Sequence, residues 1–494
     1  MSAAELPVPR NLRQFPELHP ALDSQSALAE ANRCLYCFDA PCTAACPTHI
    51  DVPRFIKKIA TGNLRGSAVT ILDANILGLS CARVCPVDVL CEGSCVMLRY
   101  NKKPIEIGRL QRFAMDAFYD ARLKAPLANA HASEASGPSR DRKGAVVEGS
   151  VLSRDRQGAV GRVACIGGGP ASLSCAAELR RHGVPVTIFD NRPLPGGLNT
   201  YGVAEYKLRP SDSLREVDLV RGMGVEFRQA EVGGAVAEPG GAAPLNAVPL
   251  DAVTLNDLEK DFDFIFVGVG LGAMERLGIP GDQLPGVIDA LRFIERYKTL
   301  PDFDVGRSVI VIGAGNTAID AANAAVRLGA KDVQVFYRRT EKQMPAFPFE
   351  YDHSKVEGVR FHWLAQPVAV MEAHGRAAGV KFVRTNLGDP DATGRQHAQP
   401  IPGSEFEVAC DMVVPALGQS RLTGWLGQSR GIALKAGSIV VDRPTGRSSN
   451  PKYYAGGDCV NGGREVVDAV ADGKRAALAM VSKMAGAMQE AADG

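Results

Sequence analysis

The sequence predicts an α/β protein in which an N-terminal α-helical domain precedes two doubly wound nucleotide-binding domains, the second inserted in the first. Three observations predict this fold. Eight of the 12 cysteines lie between Cys34 and Cys95, on segments with helical patterns. Two later segments alternate strand, helix and strand, and each has a glycine-rich first turn, which is typical of doubly wound sheets. The chain therefore divides into a cysteine-rich helical part and two sheets.

Length and composition fit a folded protein of several domains. With 494 residues the chain is long enough for about three domains. Apolar residues make up 46% and charged residues 22%, and the formal net charge of +1 argues against nucleic acid or a membrane surface as a partner. The sequence has no apolar run long enough to span a membrane and no signal-peptide pattern, so it predicts a cytoplasmic protein.

Changes in composition predict the domain limits. Residues 1–125 form the helical domain, 126–160 a flexible linker, 161–285 with 421–494 the first nucleotide domain, and 286–420 the second nucleotide domain. The linker repeats SRDRKGAV as SRDRQGAV, to which we assign no function, and residues 233–244 are predicted to be a surface loop. In the helical domain, Asp23 caps a helix that runs into the first cysteines, and Asp51 caps the next one. One face of that second helix is made of Val52, Phe55, Ile56 and Ile59.

The cysteine array predicts cluster or metal ligation, because thiols stay reduced in the cytosol. Its runs are Cys34-x2-Cys37-x4-Cys42-x3-Cys46-Pro47, Cys81-x3-Cys85-Pro86 and Cys91-x3-Cys95. Proline after the last cysteine of a run is typical of ferredoxins with two interlocked clusters, so we expect two 4Fe-4S clusters. Two structural zinc sites are the alternative. The remaining cysteines are expected to be small buried residues without a redox role, and they are Cys165, Cys175, Cys410 and Cys459.

The first glycine-rich turn, Gly167 to Ser172, directly follows a predicted strand, Val163 to Ile166. Gly167 permits the tight turn, and Gly169 lets the backbone approach a pyrophosphate at the start of the next helix. Asp190 ends the following strand, where an acidic side chain accepts hydrogen bonds from a ribose. The turn therefore predicts a dinucleotide site.

Two further glycine segments indicate that this site binds FAD. They are Pro195-Gly196-Gly197-Leu198 and, near the C-terminus, Ala455-Gly456-Gly457-Asp458 before a predicted helix from Glu465 to Met480. The second segment resembles the flavin contact of the glutathione-reductase-like fold, and the alternative is an ordinary glycine turn. The predicted FAD contacts are Gly167, Gly169, Pro170, Ala171, Asp190, Gly197, Leu198, Lys207, Gly457 and Asp458.

The second glycine-rich turn predicts an NAD(P)H site. Its residues Gly313, Gly315, Asn316 and Thr317 follow the predicted strand SVIVI. The next strand ends in Arg338 and Arg339 without an acid, which favours the 2′-phosphate of NADP; the alternative is that both arginines are solvated. No cysteine follows the flavin-side glycines in residues 195–210, so a dithiol mechanism is excluded and electrons must leave the flavin through the clusters.

These motifs together resemble the glutamate synthase small-subunit family, which also includes the electron-input half of dihydropyrimidine dehydrogenase. Within that family, Ile107 to Phe113 is similar to the dihydropyrimidine dehydrogenase pattern, with Gln111 where glutamate synthase subunits have glutamate. The resemblance implies one cluster on Cys34, Cys37, Cys42 and Cys95. It implies a second on Cys46, Cys85, Cys91 and Gln111. Cys81 is then no ligand, although spacing alone favours it as the eighth.

Two features depart from the family. Asn316 stands where many relatives have aspartate, and the bacterial dihydropyrimidine enzymes use NADH although Arg338 and Arg339 are typical of NADPH sites. The resemblance implies the electron-input subunit of a dihydropyrimidine dehydrogenase, in a hetero-oligomer with a catalytic subunit that contains FMN and iron–sulfur clusters. No side chain is expected to act as catalyst, because hydride passes between bound cofactors. The alternatives are a glutamate synthase small subunit and, from another class, a zinc-stabilised interaction scaffold.

Overall fold

The computed structural model describes residues 17–18, 20–124, 161–233, 250–300, 302–391 and 394–493. The predicted linker (126–160) and the predicted loop beyond Gly233 lie outside these residues. Among the described residues, no single helix has the length and hydropathy to cross a membrane, whereas the pair Leu64–Ala74 and Gly78–Val84, bent by 88°, passes the same test of length and composition.

The helical domain contains α1 (Ser24–Asn32), α2 (Pro41–Ala44), α3 (Val52–Ala60), α4 (Leu64–Ala74), α5 (Gly78–Val84) and α6 (Ile107–Lys124), with short 3₁₀ turns at Val87–Val89 and Val96–Tyr100. Both predicted caps are confirmed: Asp23 accepts a hydrogen bond from Ser26 N at 2.7 Å, and Asp51 accepts one from Arg54 N at 3.1 Å. The apolar face of α3 is buried as expected. Helix α1 is shorter than predicted, since it ends before Cys34.

The first nucleotide domain begins with alternating strands and helices. Its strands here are β1 (Val163–Ile166), β2 (Val186–Asp190), β3 (Glu226–Val232), β4 (Asp251–Val253) and β5 (Phe264–Val267). Its helices are α7 (Pro170–Arg181), α8 (Leu198–Tyr201), α9 (Pro210–Gly222) and α10 (Leu255–Asp261). All four residues of β1 are buried, which is typical of a parallel strand covered on both faces.

The chain then forms the second nucleotide domain. Helices α11 (Ala290–Thr299), α12 (Asn316–Arg327) and α13 (Pro348–Val356) accompany strands β6 (Ser308–Ile312), β7 (Asp332–Tyr337) and β8 (Arg360–Trp363). After these come β9 (Ala365–Ala373), β10 (Arg376–Pro390), β11 (Gln396–Pro400), β12 (Phe406–Ala409) and β13 (Met412–Pro415). A parallel sheet has the order β13-β6-β7-β8, and an antiparallel sheet forms around β10.

The last elements return to the first sheet. They are α14 (Gly424–Arg430), β14 (Leu434–Lys435), β15 (Ser438–Ile439), β16 (Tyr453–Ala455), α15 (Asp458–Asn461) and α16 (Val466–Asp493). The completed parallel sheet has the order β16-β5-β1-β2-β3-β4, so the second sheet is inserted between two of its neighbours. This confirms the predicted fold class, while the exact domain limits stay predictions. Helix α16 is longer than predicted. It packs closely on α7, since a Cβ on Gly473 would collide with Ala171 O.

The helical domain packs directly on the first nucleotide domain. One apolar core joins residues of both, including Leu79 and Met115 from the helical domain and Leu173 and Val217 from the other. Polar contacts reinforce it: Arg181 Nη2 in α7 donates to Leu72 O at 2.7 Å. The two domains therefore form a continuous body.

Candidate functional site

The first predicted set of cluster ligands lines one cavity. Cys34, Cys37, Cys42 and Cys95 surround it, and its remaining wall is apolar, including Val52, Ile56, Met97, Ile105 and Ile107. Burial raises the pKa of the Cys42 thiol to about 12, and the nearby Cys34 and Cys95 add to the effect. Four converging thiols in an apolar cavity fit an iron–sulfur cluster, whose iron must displace the thiol protons.

Three members of the second set, Cys46, Cys85 and Cys91, also lie near one another. The pKa of the Cys85 thiol is raised by its hydrogen bond with Cys81, then by burial and by the neighbouring Cys91 and Cys46. Gln111 is 7% exposed and its Nε2 donates to Gly78 O at 2.8 Å, at the start of the helix that carries Cys81. Of the two candidates for the eighth ligand, Cys81 lies on α5 itself, and Gln111 contacts the first residue of that helix. The choice of Gln111 as ligand stays a prediction.

The zinc alternative needs a group of side chains around a single ion. Among the described residues, no group of three or more Cys, His, Asp or Glu side chains is arranged to hold one metal ion. The four cysteines outside the array are buried, as expected.

The first glycine-rich turn is held by Asp190. Gly167 has a φ of +90°, and a Cβ there would lie 2.6 Å from Gly268 O. Asp190 Oδ2 accepts from Gly168 N at 2.5 Å, and its Oδ1 accepts from Arg192 N at 2.8 Å. Burial raises the pKa of Asp190, and these two hydrogen bonds act in the opposite direction. Sequence reasoning missed this bracing role of the carboxylate; its predicted contact with a ribose stays a prediction.

Three glycine segments meet at the start of α7 and form a surface of backbone atoms without side chains, which we call the cradle. A Cβ on Gly197 would lie 2.9 Å from Gly169 Cα, and a Cβ on Gly457 would lie 3.1 Å from Ala171 Cβ. Gly169 itself differs, because its Cβ would meet nothing closer than 4.0 Å and its φ of −79° suits any residue. The fold therefore does not require glycine at position 169. A ligand that approaches the backbone at this position would require glycine, and the pyrophosphate of FAD is a ligand of that kind.

Three residues predicted to contact FAD lie outside the cradle, and two of them bond to other residues of this chain. Lys207 Nζ lies 2.7 Å from both Asp320 Oδ1 and Glu350 Oε1, which belong to α12 and α13 of the second nucleotide domain. Asp458 Oδ1 accepts from Arg464 N at 3.2 Å, and burial raises the pKa of this carboxyl. Leu198 is 38% exposed. The predicted contacts of Lys207, Leu198 and Asp458 with FAD stay predictions.

A cleft connects the cysteines to the nucleotide domains. Its wall includes Cys85 and Arg83 of the helical domain, Lys207 of the first nucleotide domain and Glu350 of the second nucleotide domain. Glu350 Oε2 is buried and has no hydrogen-bond partner within the described part of the chain. Sequence reasoning missed this cleft, because its residues come from three domains and no spacing pattern relates them.

The second glycine-rich turn has the same construction as the first. Gly313 has a φ of +130°, and a Cβ there would collide with Ala416 O, whereas a Cβ on Gly315 would meet only Pro345 Cγ at 3.9 Å. Asn316 Oδ1 accepts from Phe347 N at 3.0 Å and so joins the start of α12, where Thr317 follows, to the segment before α13. Asn316, which stands where many relatives have aspartate, therefore has a structural role.

The two arginines follow β7, whose carboxyl end lies at the same sheet edge as the Gly313 turn. Arg338 is exposed, whereas Arg339 is partly buried. The buried Nε of Arg339 has no hydrogen-bond partner among the residues that the structure describes. An unpaired guanidinium nitrogen at this edge fits the recognition of a phosphate, but the assignment stays a prediction.

We expect replacement of Arg338 and Arg339 by alanine to raise the KM for NADPH by roughly ten- to a hundredfold, because a charged hydrogen bond contributes about 1.5–3 kcal/mol. The KM for NADH should change little. Steady-state reduction of ferricyanide with each cofactor measures both. Arg360→Ala is the matched control, since that arginine is on the neighbouring strand and pairs with Asp332. An equal loss with NADH and NADPH would contradict the assignment.

Comparison with known proteins agrees with the geometry of the site. Residues 161–473 match the family described as pyridine nucleotide-disulphide oxidoreductase, and residues 11–123 match the one described as dihydropyrimidine dehydrogenase domain II, 4Fe-4S cluster. The fold resembles that of Mycobacterium tuberculosis FprA in complex with NADPH, with a TM-score of 0.52, 19% identity, and coverage of 67% of this chain and 86% of that one. The class is thus a flavin-dependent NAD(P)H oxidoreductase with an iron–sulfur domain.

Two relatives more than 30% identical to this chain define the family more closely. The chain is 34% identical to the glutamate synthase [NADPH] small chain of Escherichia coli, over 94% of this chain and 93% of that one. It is 35% identical to the NADP(+)-dependent formate dehydrogenase subunit beta of Moorella thermoacetica, over 89% of this chain but only 59% of that longer one. The chain therefore belongs to the family of glutamate synthase small subunits and related electron-input subunits.

Proposed function

We propose that this chain is the electron-input subunit of a larger enzyme, in which NADPH delivers hydride to FAD and two 4Fe-4S clusters carry single electrons to a partner. The observation that supports this best is the cleft between the domains. Cys85, a predicted cluster ligand, and Lys207, a predicted flavin contact, line the same cavity. Flavin, nicotinamide and cluster would then be neighbours, as electron transfer between them requires.

The residues of the chain would bind and orient the cofactors. The cradle of Gly169, Gly197 and Gly457 would receive the FAD pyrophosphate at the start of α7, and the Gly313 turn would do the same for the nicotinamide dinucleotide. Bound FAD supplies the conversion from a two-electron donor to one-electron carriers. The apolar wall around Cys34 and Cys42 would keep water from the first cluster, which is one determinant of its potential.

The relatives support a glutamate synthase large subunit as the partner, ahead of the dihydropyrimidine dehydrogenase subunit that the sequence resemblance implied. Small chains named for glutamate synthase match this chain along nearly their whole length in Escherichia coli and in Halomonas elongata. NADPH is the cosubstrate in both names, which agrees with the arginine pair after β7. A formate dehydrogenase subunit is equally similar, so overall identity alone does not identify a partner.

A second candidate partner, the FMN-containing subunit of dihydropyrimidine dehydrogenase, rests on Gln111. The residue is buried, its amide nitrogen is held by Gly78 O, and its position is the one that the family resemblance assigns to a cluster ligand. The match of residues 11–123 to a dihydropyrimidine dehydrogenase domain supports the same candidate.

Reconstitution separates the two partners. We expect the purified chain with NADPH to reduce ferricyanide, and to support glutamate formation from glutamine and 2-oxoglutarate once a glutamate synthase large subunit is added. The chain alone should not oxidise NADPH with either set of substrates. Uracil reduction with an FMN-containing pyrimidine subunit, and none with the large subunit, would favour the second candidate. Uracil-dependent reoxidation of the single chain would contradict the division into two subunits.

A further inference from the structure

A buried carboxylate of the first nucleotide domain holds the helix that carries Cys81 and leads into Cys85. Glu216 lies on α9 and is 1% exposed. Its Oε1 accepts from Leu79 N at 2.8 Å and from Ser80 N at 3.1 Å, and its Oε2 accepts from Ser80 Oγ. The residue before α5, Leu77, offers no side-chain cap, so the cap of this helix comes from the other domain.

This helix is central to the second cluster. It is only seven residues long, and so short a helix depends on outside contacts for its stability. Cys85 follows Cys81 by one helical turn, and Gly78 O accepts a hydrogen bond from the Gln111 amide. Whichever of Cys81 and Gln111 is the ligand, Glu216 holds the backbone beside it. Arg83 adds a second tie, with its Nε 3.3 Å from Asp212 Oδ2 on α9.

The hydrogen-bond pattern also indicates the charge of Glu216. Both oxygens accept hydrogen bonds from donors of α5, which favours the ionised carboxylate, whereas burial raises the pKa of Glu216 to about 7. The side chain is therefore ionised above that pH. The cation that faces it is Arg83, which also pairs with Asp212 and Asp116. Asp212 also pairs with Arg215, and Asp116 with Arg112, so these two carboxylates are themselves compensated.

We propose that Glu216 is a positioning residue for the second cluster: it fixes α5 against the first nucleotide domain, and its charge lowers the reduction potential of the cluster that this helix holds. The proposal rests on the proposed function in that α5 leads directly into Cys85, a predicted cluster ligand. A negative charge disfavours the addition of an electron nearby, and burial keeps water from screening it. The first nucleotide domain thereby sets both the place and the potential of its electron acceptor.

Glu216→Gln tests the charge while keeping the shape. The amide oxygen still accepts from the Leu79 and Ser80 backbone, so iron and FAD content should match the parent chain. In a redox titration carried out well above pH 7, where Glu216 is ionised, and followed by electron paramagnetic resonance, the second cluster should titrate at a higher potential and the first cluster at its parent value. An unchanged second cluster, or an equal shift of both clusters, would overturn the proposal.

Glu216→Ala tests the positioning role without reference to the cluster. Hydrogen–deuterium exchange at the Leu79 and Ser80 amides should accelerate in the alanine variant and stay near the parent rate in the glutamine variant. Parent-like exchange in both variants would contradict the role.

Glu178→Gln is the matched control, because Glu178 is 8% exposed on α7 of the same domain and accepts a hydrogen bond from Arg181 instead of from α5. Absence of any cluster signal from the parent chain would refute the proposed function as well, whereas parent signals with an unshifted variant refute this inference alone.

Discussion

Replacing Cys85 with serine is expected to remove the second cluster, and with it about half of the roughly eight irons that two 4Fe-4S clusters contain. Cys85 lies among Cys46, Cys81 and Cys91, so its loss leaves the cluster with too few thiolates. Cys34, Cys37, Cys42 and Cys95 line a separate cavity, and the first cluster should remain. Iron and flavin analysis of anaerobically purified protein measures the loss, and FAD content should be unchanged.

Cys410→Ala is the control for this variant, since that cysteine is buried in the second nucleotide domain, away from the array. The same assay decides the eighth ligand. If Gln111 is the ligand, Gln111→Ala should reduce the iron content as Cys85→Ser does, and Cys81→Ala should retain it. Loss of the cluster in Cys81→Ala with parent-like iron in Gln111→Ala would show that spacing predicted the ligand better than family resemblance. Retention of all iron in Cys85→Ser would contradict the second site altogether.

Gly169→Ala should yield a folded protein that binds FAD at least about tenfold more weakly, or about 1.4 kcal/mol. The atoms of the chain nearest to the added Cβ, Gly197 Cα and Gly268 O, lie at 4.0 Å, and the backbone conformation is open to alanine. Only a ligand that packs against this backbone loses space, because a dinucleotide pyrophosphate approaches the turn at this residue. Flavin retained after gel filtration and titration of the apoprotein with FAD measure the effect.

Thermal unfolding of the FAD-free variant supplies the necessary comparison. Its midpoint should match that of the FAD-free parent, because the substitution removes no contact of the fold. Gly424→Ala is the matched control: its added Cβ would meet nothing within 4 Å, and the residue lies at the start of α14. Parent-like FAD affinity in Gly169→Ala would refute the assignment of the cradle, and a lowered unfolding midpoint without FAD would mean that the fold itself needs this glycine.

Local patterns predicted the elements that depend on local physics. The apolar face of α3 and its cap at Asp51 follow from spacing and capping chemistry, and β1 follows from a short apolar run before a glycine turn. These features arise within short stretches of chain, where sequence separation and spatial distance agree. The first set of thiols is only partly of this kind: Cys34, Cys37 and Cys42 are close in sequence, whereas the place of Cys95 beside them was implied by the family resemblance.

Contacts between domains escaped prediction for the opposite reason. Lys207 was expected beside FAD, and its ion pairs with Asp320 and Glu350 join residues more than a hundred positions apart. Glu216 and Ser80 are separated by 136 positions, and no motif relates them. Their partners are fixed by how three domains pack, a property of the whole fold that periodicity does not encode.

The shared apolar core of the helical domain and the first nucleotide domain limits how this chain could be divided during evolution. Separating the two domains would expose apolar side chains such as Leu79 and Met115 on one domain and Leu173 and Val217 on the other. Neither domain could therefore be exchanged alone without exposing an apolar surface. Gene fusion can add sequence outside this body but not between its cores. The longer formate dehydrogenase subunit of Moorella thermoacetica fits that rule, since a single match in it spans 89% of this chain. We therefore expect the helical domain and the first nucleotide domain to occur together in longer relatives of this chain.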